Sequence, residues 1–270
     1  MAELRADLAA YRMILTSRLR SQRSHRASFW TDMVASALVT ITEFFEVWVL
    51  FHNVEVIGGM RLAGIMVAFG LAEMTFSVAD AVVGHCDELP RFLRAGTLDV
   101  FYLRPLPVLA QLVTSDLQLR RLARVFFGAV VLVTGLVLAD VDWTWDRALL
   151  LALVIPSGVA IYAALFVAAG GLQFFLIDGA ETTNAFVYGG RYAGTQPASV
   201  WPSSLLVVFG VLFPVVATGY LPALWLIGQD GTDLLSAWLA WCAPLAALWA
   251  VGAAALCWRL GMRHYQGGGG

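Results

Sequence analysis

The sequence predicts an all-α integral membrane protein with six transmembrane helices. Hydrophobic residues make up 60% of the 270 residues and charged residues 13%, whereas soluble domains are about half apolar and a quarter charged. The apolar residues fall into long runs, and about 20 such residues cross the ~30 Å hydrocarbon core as a helix. Six spans of this length use about half of the chain. Because the remainder suffices only for loops and surface helices, we expect a single membrane domain over residues 1–270.

The arginines indicate the orientation of the chain. All 17 basic residues are arginines; fifteen fall on one side of the predicted spans and two, Arg61 and Arg147, on the other. Cytoplasmic loops retain positive charge, so both termini are predicted to be cytoplasmic. The arginine-rich side carries Arg5, Arg12, Arg18, Arg20, Arg23 and Arg26 before the first span, Arg91, Arg94, Arg104, Arg120, Arg121 and Arg124 between the second and third, Arg191 between the fourth and fifth, and Arg259 and Arg263 after the sixth.

The first predicted element is an amphipathic helix within residues 1–28. Apolar side chains recur at spacings of three and four with arginines on the other face, a pattern typical of a helix that lies in the membrane interface. A solvated cytosolic helix is the alternative. The apolar positions are Leu4, Leu8, Tyr11, Leu15 and Leu19.

Six apolar runs follow, and tryptophans mark the predicted membrane boundaries. Trp238 and Trp241 lie at the outer end of the last run and Trp258 at its inner end, as expected for interfacial aromatic belts. An apolar stretch over 220–235 is predicted to be an outer loop or a re-entrant segment. The predicted spans are 30–51, 62–83, 122–139, 148–176, 202–219 and 236–258.

The loop over 84–121, between the second and third spans, contains the most structured polar segment. Asp87 is a plausible N-cap, Pro90 is tolerated in a first turn, and Gly96 can end a helix in the left-handed conformation. We therefore expect a two-turn cytoplasmic helix that docks on a cytosolic partner, the alternative being a polar loop packed on its own bundle. The candidate coupling residues are Asp87, Glu88, Arg91, Phe92, Arg94 and Gly96.

The same loop carries a resemblance to a known family. Residues 94–105 read Arg-x-Gly-Thr-Leu-Asp-x-x-x-Leu-Arg-Pro, and this run resembles the permease subunits of ABC-2 type transporters, in the branch of uncharacterised ABC transport permeases. Residues 184–228, with Phe-Pro in a span and Tyr-Leu-Pro beyond it, and the ending 261–265 are similar to the family as well. The resemblance covers nearly the whole chain, although 191–194 lacks the aromatic-proline pair that the family often has there.

The resemblance implies a transporter made of several chains. Two permease subunits would pair with two cytosolic ATPase subunits that bind ATP and Mg, and the second permease would be a related chain or an identical one. The helix from Asp87 to Ala95 would receive the motion of the ATPase, and the N-terminal amphipathic helix would lie along the inner leaflet. The family implies a bacterial plasma membrane protein, with export of a hydrophobic or amphipathic compound as a class-level expectation.

The chain itself has no residues for ATP hydrolysis. A phosphate-binding P-loop requires a lysine, and the sequence contains none. The four histidines and three cysteines show no metal-ligand spacing, so we expect no catalytic residue, metal or cofactor in this chain. Energy then comes from a separate ATPase or from an ion gradient, and an ion-coupled secondary transporter or channel is the alternative function.

Acidic residues within the predicted spans are the candidates for the translocation pathway. Glu43 and Glu46 share one face of the first span, and Glu73 and Asp80 share one face of the second. Intramembrane carboxylates are costly and therefore functional candidates. With no basic residue expected at mid-depth, they either face a watery pathway or are protonated and bonded between helices. Glu73, the closest to mid-depth, either lines a central cavity and contacts a polar or cationic substrate or, as is favoured for Glu43, Glu46 and Asp80, holds helices together. Pro214 completes the set.

Overall fold

The computed structural model describes residues 26–103, 105–115, 121–176 and 180–265. Within these ranges the chain is almost entirely helical and contains no β-strand beyond two isolated bridges. The predicted amphipathic helix over residues 4–20 lies outside the described ranges.

Eleven α-helices are present in the described part of the chain, joined by short 3₁₀ and π turns. The 3₁₀ turns are Gly84–Glu88, Ala198–Val200, Val215–Ala217 and Ala237–Cys242, and the π turn is Val207–Leu212. The helices are α1 (Arg26–Asn53), α2 (Leu62–Val83), α3 (Leu89–Arg94), α4 (Asp99–Tyr102), α5 (Val108–Ser115), α6 (Leu122–Leu138), α7 (Trp145–Gln173), α8 (Ala180–Gly194), α9 (Ser203–Leu206), α10 (Tyr220–Leu226) and α11 (Ala243–His264).

Among the described residues, four helical segments are long and apolar enough to cross a membrane: Met33–Asn53, Leu62–Arg94, Trp145–Gln173 and Ala237–His264. They correspond to the first, second, fourth and sixth predicted spans. The third predicted span is α6, which is apolar but has 17 residues. This architecture is that of a multi-pass membrane protein.

Helix α2 forms the centre of the bundle. It packs against α6 and α7, and most of its apolar stretch is buried. Small residues let the backbones approach, as is common where lipid removes the hydrophobic drive between helices. A Cβ added at Gly70 would lie 2.4 Å from the Leu132 backbone nitrogen, and one added at Gly171 would lie 2.7 Å from the Trp258 backbone nitrogen. Glycine is therefore required where α2 meets α6 and where α7 meets α11.

Helix α1 lies on the outside of the bundle. It packs mainly on α6, and Phe44 makes edge contacts with Phe69 at 5.5 Å and with Phe127 at 6.2 Å. Little of its apolar stretch is buried within the chain. Most of the surface of α1 is thus available to lipid or to another protein.

The fifth span differs from the prediction. Residues 202–219 do not form one helix, because Ser203–Leu212 and Val215–Leu226 are two helical pieces bent by 71°, with Pro214 at the bend. The segment that runs along the bundle here is α8, which the sequence analysis assigned to a cytoplasmic loop. Its Tyr188 reaches Asp87, just past the C-terminal end of α2. Farther on, the Ser199 hydroxyl donates to the Gly58 carbonyl, next to the N-terminal end of α2, at 2.8 Å.

The bent segment over 203–226 enters and leaves the bundle at one end. Ser199, just before it, contacts the α1–α2 loop. At its other end the Trp225 indole donates to Asp146, beside the α6–α7 loop, at 3.1 Å. Both loops lie at the end of the bundle where α2 begins, which we call the distal end. The segment is therefore a re-entrant hairpin that starts well before the predicted 220–235 stretch.

Candidate functional site

A buried ion-paired triad joins three helices near the middle of the bundle. Glu73 lies at the midpoint of α2, Glu43 comes from α1, and Arg191 comes from α8. The Arg191 Nε donates to Glu73 Oε2 at 2.8 Å, and its Nη1 donates to Glu43 Oε1 at 2.8 Å. Its Nη2 contacts both carboxylates. The expectation that no basic residue lies at mid-depth was therefore wrong.

The surroundings of the triad stabilise its charges. The side chain of Glu73 is fully buried, that of Arg191 is 9% exposed and that of Glu43 is 26% exposed. Ser77 donates a hydrogen bond to the second oxygen of Glu73 at 3.1 Å. The Arg191 guanidinium carbon lies 5.4 Å from the centre of the Phe76 ring, within the range of a cation–π contact. The Glu73 side chain thus has no open surface toward a substrate.

A second ion cluster holds Asp80, also a pathway candidate. Its carboxylate is fully buried and pairs with Arg124 at 2.7 Å and with Arg121 at 2.5 Å. Both arginines lie at the start of α6, so the cluster fastens α6 to the C-terminal end of α2. Gly84 leaves room for this cluster, because a Cβ there would lie 1.9 Å from the Arg121 guanidinium, which would have to move. Asp80 has the basic partners that the sequence analysis did not expect.

The remaining pathway candidates lie beside two cavities. Glu46 is exposed and lines a cavity of about 360 Å³ between α1 and α8. It makes no ion pair with any residue that the structure describes. Pro214 is buried and lines an apolar cavity of about 340 Å³ between the re-entrant hairpin and the beginning of α11.

The predicted coupling helix continues directly from α2. The 3₁₀ turn Gly84–Glu88 and α3 follow without a break. Pro90 lies in the first turn of α3, and Gly96 has a φ of +64°, so both predictions are confirmed. Asp87 is not the N-cap. That position belongs to Glu88, which makes no side-chain cap hydrogen bond.

Asp87 instead connects this region to α8. We call residues 84–103, which run from the 3₁₀ turn through α3 and α4, the coupling segment. The Tyr188 hydroxyl donates to Asp87 Oδ2 at 2.8 Å. Asp87 Oδ1 is buried with no hydrogen-bond partner among the described residues. Burial raises the pKa of Asp87 to about 6, although the Tyr188 hydrogen bond acts to lower it. A buried carboxylate with one free oxygen is costly, so Asp87 is an energetically sensitive link between the two elements.

Helix α3 presents a charged face away from the bundle. Arg91 and Arg94 are exposed, whereas Leu89 and Pro90 are buried. Arg91 pairs with the partly exposed Glu88 at 3.3 Å, an exposed contact that contributes little to stability. Both arginines are thus accessible from outside the bundle.

Aromatic contacts pack the rest of the loop on itself, and a hydrogen bond from Tyr265 fastens it to the bundle. The Phe92 ring lies 5.9 Å from His85 and 5.5 Å from Phe101. The Tyr265 hydroxyl, just after α11, donates to Asp99 Oδ1 at 2.8 Å. The coupling segment is therefore attached to α8 and to the end of α11 as well as to α2.

A comparison with protein families agrees with these features. The sequence profile of the ABC-2 family transporter proteins matches residues 37–269. The chain belongs to the ABC-2 transporter family. The resemblance inferred from residues 94–105 is thereby confirmed. Searches of curated proteins and of solved structures found no match.

Membership of the ABC-2 family defines the general role of the chain. An ABC-2 permease is the membrane component of a transporter and is not itself catalytic. In the part of this permease that the structure describes, no group of three or more histidine, cysteine or acidic side chains could hold a metal ion.

Besides Arg121 and Arg124, sequence reasoning missed Arg191 as a site residue of this permease. Its segment contains Asn184, Tyr188 and several glycines, so its hydropathy is typical of a loop. A signal was nevertheless present, because Glu43 and Glu73 lie at depths where a carboxylate requires a partner. A search for the missing cation among predicted loop residues would have selected Arg191.

Proposed function

We propose that this chain is the permease subunit of an ATP-driven ABC transporter that exports a hydrophobic or amphipathic compound by alternating access. Two cytosolic ATPase subunits bind ATP and Mg, and a second permease, a related chain or an identical one, completes the complex. The complex lies among the lipids of a bacterial plasma membrane. Six segments cross that membrane: α1, α2, α6, α7, α8 and α11. After Arg191 is assigned to a span, fourteen arginines still fall on the cytoplasmic side against two outside.

The continuity between the coupling segment and the triad supports this proposal most strongly. The exposed arginines of α3 are positioned to bind an ATPase. The hydrogen bond from Tyr188 to Asp87 attaches this segment to α8. One helical turn farther along α8, Arg191 pairs with Glu43 and Glu73. A displacement of α3 is thus transmitted to the contact between α1 and α8.

The triad can hold α1 and α8 in two discrete arrangements. Helix α1 packs lightly on the bundle, and Arg191 binds it through Glu43. If α8 moves relative to α1, Arg191 keeps its buried partner Glu73 and releases the half-buried Glu43. Interfaces that rearrange in this way are a common basis of switching. We propose that the release opens the pathway between α1 and α8.

The ion-coupled alternative is less well supported. An ion-carrying carboxylate must exchange its ion with water, and Glu43, Glu73 and Asp80 are bound by arginines. Of the four acidic pathway candidates, only Glu46 makes no ion pair with a described residue.

Copurification tests the proposal. The permease is tagged, expressed in its native host and purified, and bound ATPase is measured by mass spectrometry and by ATP hydrolysis. We expect wild type to retain an ABC ATPase and the double variant Arg91→Glu/Arg94→Glu to lose it. Arg61→Glu, which reverses an exposed arginine at the distal end, is the matched control and should retain it. An absence of ATPase from the wild-type complex would contradict the proposal.

A further inference from the structure

We propose that the cavity between α1 and α8 binds a hydrophobic organic cation, with Glu46 as its counter-ion. This inference rests on the proposed function, in which the chain carries an amphipathic compound, and it names the charge of that compound. The cavity has a volume of about 360 Å³, in the range of small-molecule sites. It is lined by Phe45, Glu46, Val47, Val49, Leu50, Tyr192 and Gln196.

The lining combines apolar walls with a few polar groups. Three aliphatic side chains and Phe45 form most of the surface, while Glu46, Tyr192 and Gln196 supply the polar atoms. Sites of this composition hold a ligand through its apolar body and orient it through one or two polar contacts. The occupant therefore has a large apolar part.

Glu46 determines the sign of the charge. It lies seven residues before the end of α1, which places it roughly 10 Å along the helix axis from that end. Glu43, Glu73 and Asp80 have arginine partners, and Glu46 has none among the described residues. An uncompensated carboxylate at this depth is expensive. A cation in the cavity supplies the missing charge.

The neighbouring triad strengthens this preference. Glu43 lies about one helical turn before Glu46 on α1. Glu43 and Glu73 place two carboxylates against the single guanidinium of Arg191. The region around the cavity thus contains three carboxylates and one cation. Tyr192 and Gln196 are uncharged, so nothing in the lining offsets the negative potential. An anionic amphiphile is repelled from the same cavity.

Aromatic faces are the second contribution to the affinity of the cavity for an organic cation. Phe45 and Tyr192 are about half exposed, at 54% and 53%, and they come from the two helices that form the cavity. Aromatic faces attract organic cations. The Phe45 ring also stacks on Trp48 at 5.2 Å, which holds it in place. A delocalised cation with apolar substituents fits this surface better than a small hydrated one.

Paired binding measurements test the inference. The full chain is purified in detergent, and equilibrium dialysis measures the binding of tetraphenylphosphonium and of tetraphenylborate, which have the same shape and opposite charges. Wild type should bind the phosphonium and not the borate. Glu46→Gln should lower phosphonium affinity by about tenfold or more, whereas Glu55→Gln, at an exposed loop position, should leave it unchanged. Tyr192→Leu provides a second variant with an intact carboxylate and should also weaken binding.

Three outcomes would overturn the inference. The first is equal binding of the two ions, and the second is wild-type phosphonium affinity in both Glu46→Gln and Tyr192→Leu. The third is that wild type does not bind the phosphonium while Glu46→Gln changes the oligomeric state. The last would mean that a second copy of the chain covers the cavity. The measurement needs no ATPase, so its failure is distinguishable from failure of the copurification.

Discussion

Arg191 is the residue on which the interior of this permease depends. An arginine at mid-depth costs about 2.5–3.5 kcal/mol on insertion scales, and its two carboxylate partners are unfavourable there as well. Together they neutralise most of one another's charge, with two carboxylates sharing one guanidinium. Removal of one member leaves the others uncompensated, which is typically more damaging than replacement of the whole group.

We predict that Arg191→Met destabilises the protein by about 3–5 kcal/mol. Glu73→Gln should cost less, because Glu43 still pairs with the guanidinium. The double variant Arg191→Met/Glu73→Gln should be more stable than Arg191→Met alone, since the most buried carboxylate is then neutral. Thermal unfolding in detergent measures all three. A melting temperature of Arg191→Met equal to that of wild type would show that the triad does not stabilise the bundle.

Asp87 gives a prediction about pH. Its pKa is raised to about 6 by burial, so the folded state binds a proton more tightly than the unfolded state. The contribution of Asp87 to stability therefore falls as the pH rises from about 4 to about 6 and is constant above. Asp87→Asn removes this dependence and keeps an acceptor for Tyr188. Relative to wild type, the variant should gain melting temperature across that pH interval, and a constant difference would contradict the assignment.

At the scale of elements, close helix contacts at glycines add to the packing of large buried side chains such as Phe69, Phe76 and Tyr162. Helix α2 approaches α6 and α7 through glycines, and polar pairs fix the positions along each axis. The Asp80 cluster fastens the end of α2 to α6, and Tyr188 fastens the coupling segment to α8. These devices are typical of helix packing in lipid.

The contact between α2 and α6 gives a direct prediction. Gly70→Ala places a methyl group 2.4 Å from the Leu132 backbone, and the helices must separate to accommodate it. We expect a loss of about 1–3 kcal/mol, seen as a lower melting temperature and a lower yield of monodisperse protein. Gly252→Ala in α11 is the matched control, because a Cβ there meets no atom within 4 Å. Equal behaviour of the two variants would show that the close approach is not required.

The link between α3 and α8 should matter for function more than for stability. Tyr188→Phe removes one hydrogen bond, worth about 1 kcal/mol, so the protein should still fold and still bind its ATPase. Transport per ATP hydrolysed should fall in reconstituted vesicles, because motion of α3 no longer reaches α8. Asp87→Asn keeps an acceptor for the hydroxyl and should transport more efficiently than Tyr188→Phe. Unchanged coupling in Tyr188→Phe would remove this bond from the transmission route.

How much of the fold was predictable differs from element to element. Helices α1, α2, α6, α7 and α11 were predicted because each is a long apolar run. Helix α8, which we propose as a span, was not predicted because hydropathy treats each segment alone, while the polarity of Arg191 is offset by acids on two other helices. Most of the re-entrant hairpin was predicted to be a straight span, because its apolar composition does not reveal the 71° bend at Pro214. Local turn chemistry predicted Pro90 in the first turn and Gly96 at the end of the helix. Its continuity with α2, its N-cap at Glu88 and its connection to Tyr188 required the structure.

At the scale of the whole molecule, the central claim is that α8 crosses the membrane with Arg191 at its centre. The coupling segment then lies inside the cell, and the residues after α8 lie outside. A fifth span over 202–219 would instead leave residue 200 on the cytoplasmic side. The two arrangements therefore place the exposed residue Val200 on opposite sides of the membrane.

Sided cysteine labelling distinguishes them most directly. Single cysteines at Ala95 and Val200, in a chain without Cys86, Cys242 and Cys257, are treated in intact cells with a membrane-impermeant maleimide. We expect Val200→Cys to be labelled from outside and Ala95→Cys to be labelled only after the cells are opened. Labelling of Ala95→Cys in intact cells, or protection of Val200→Cys until they are opened, would contradict the account.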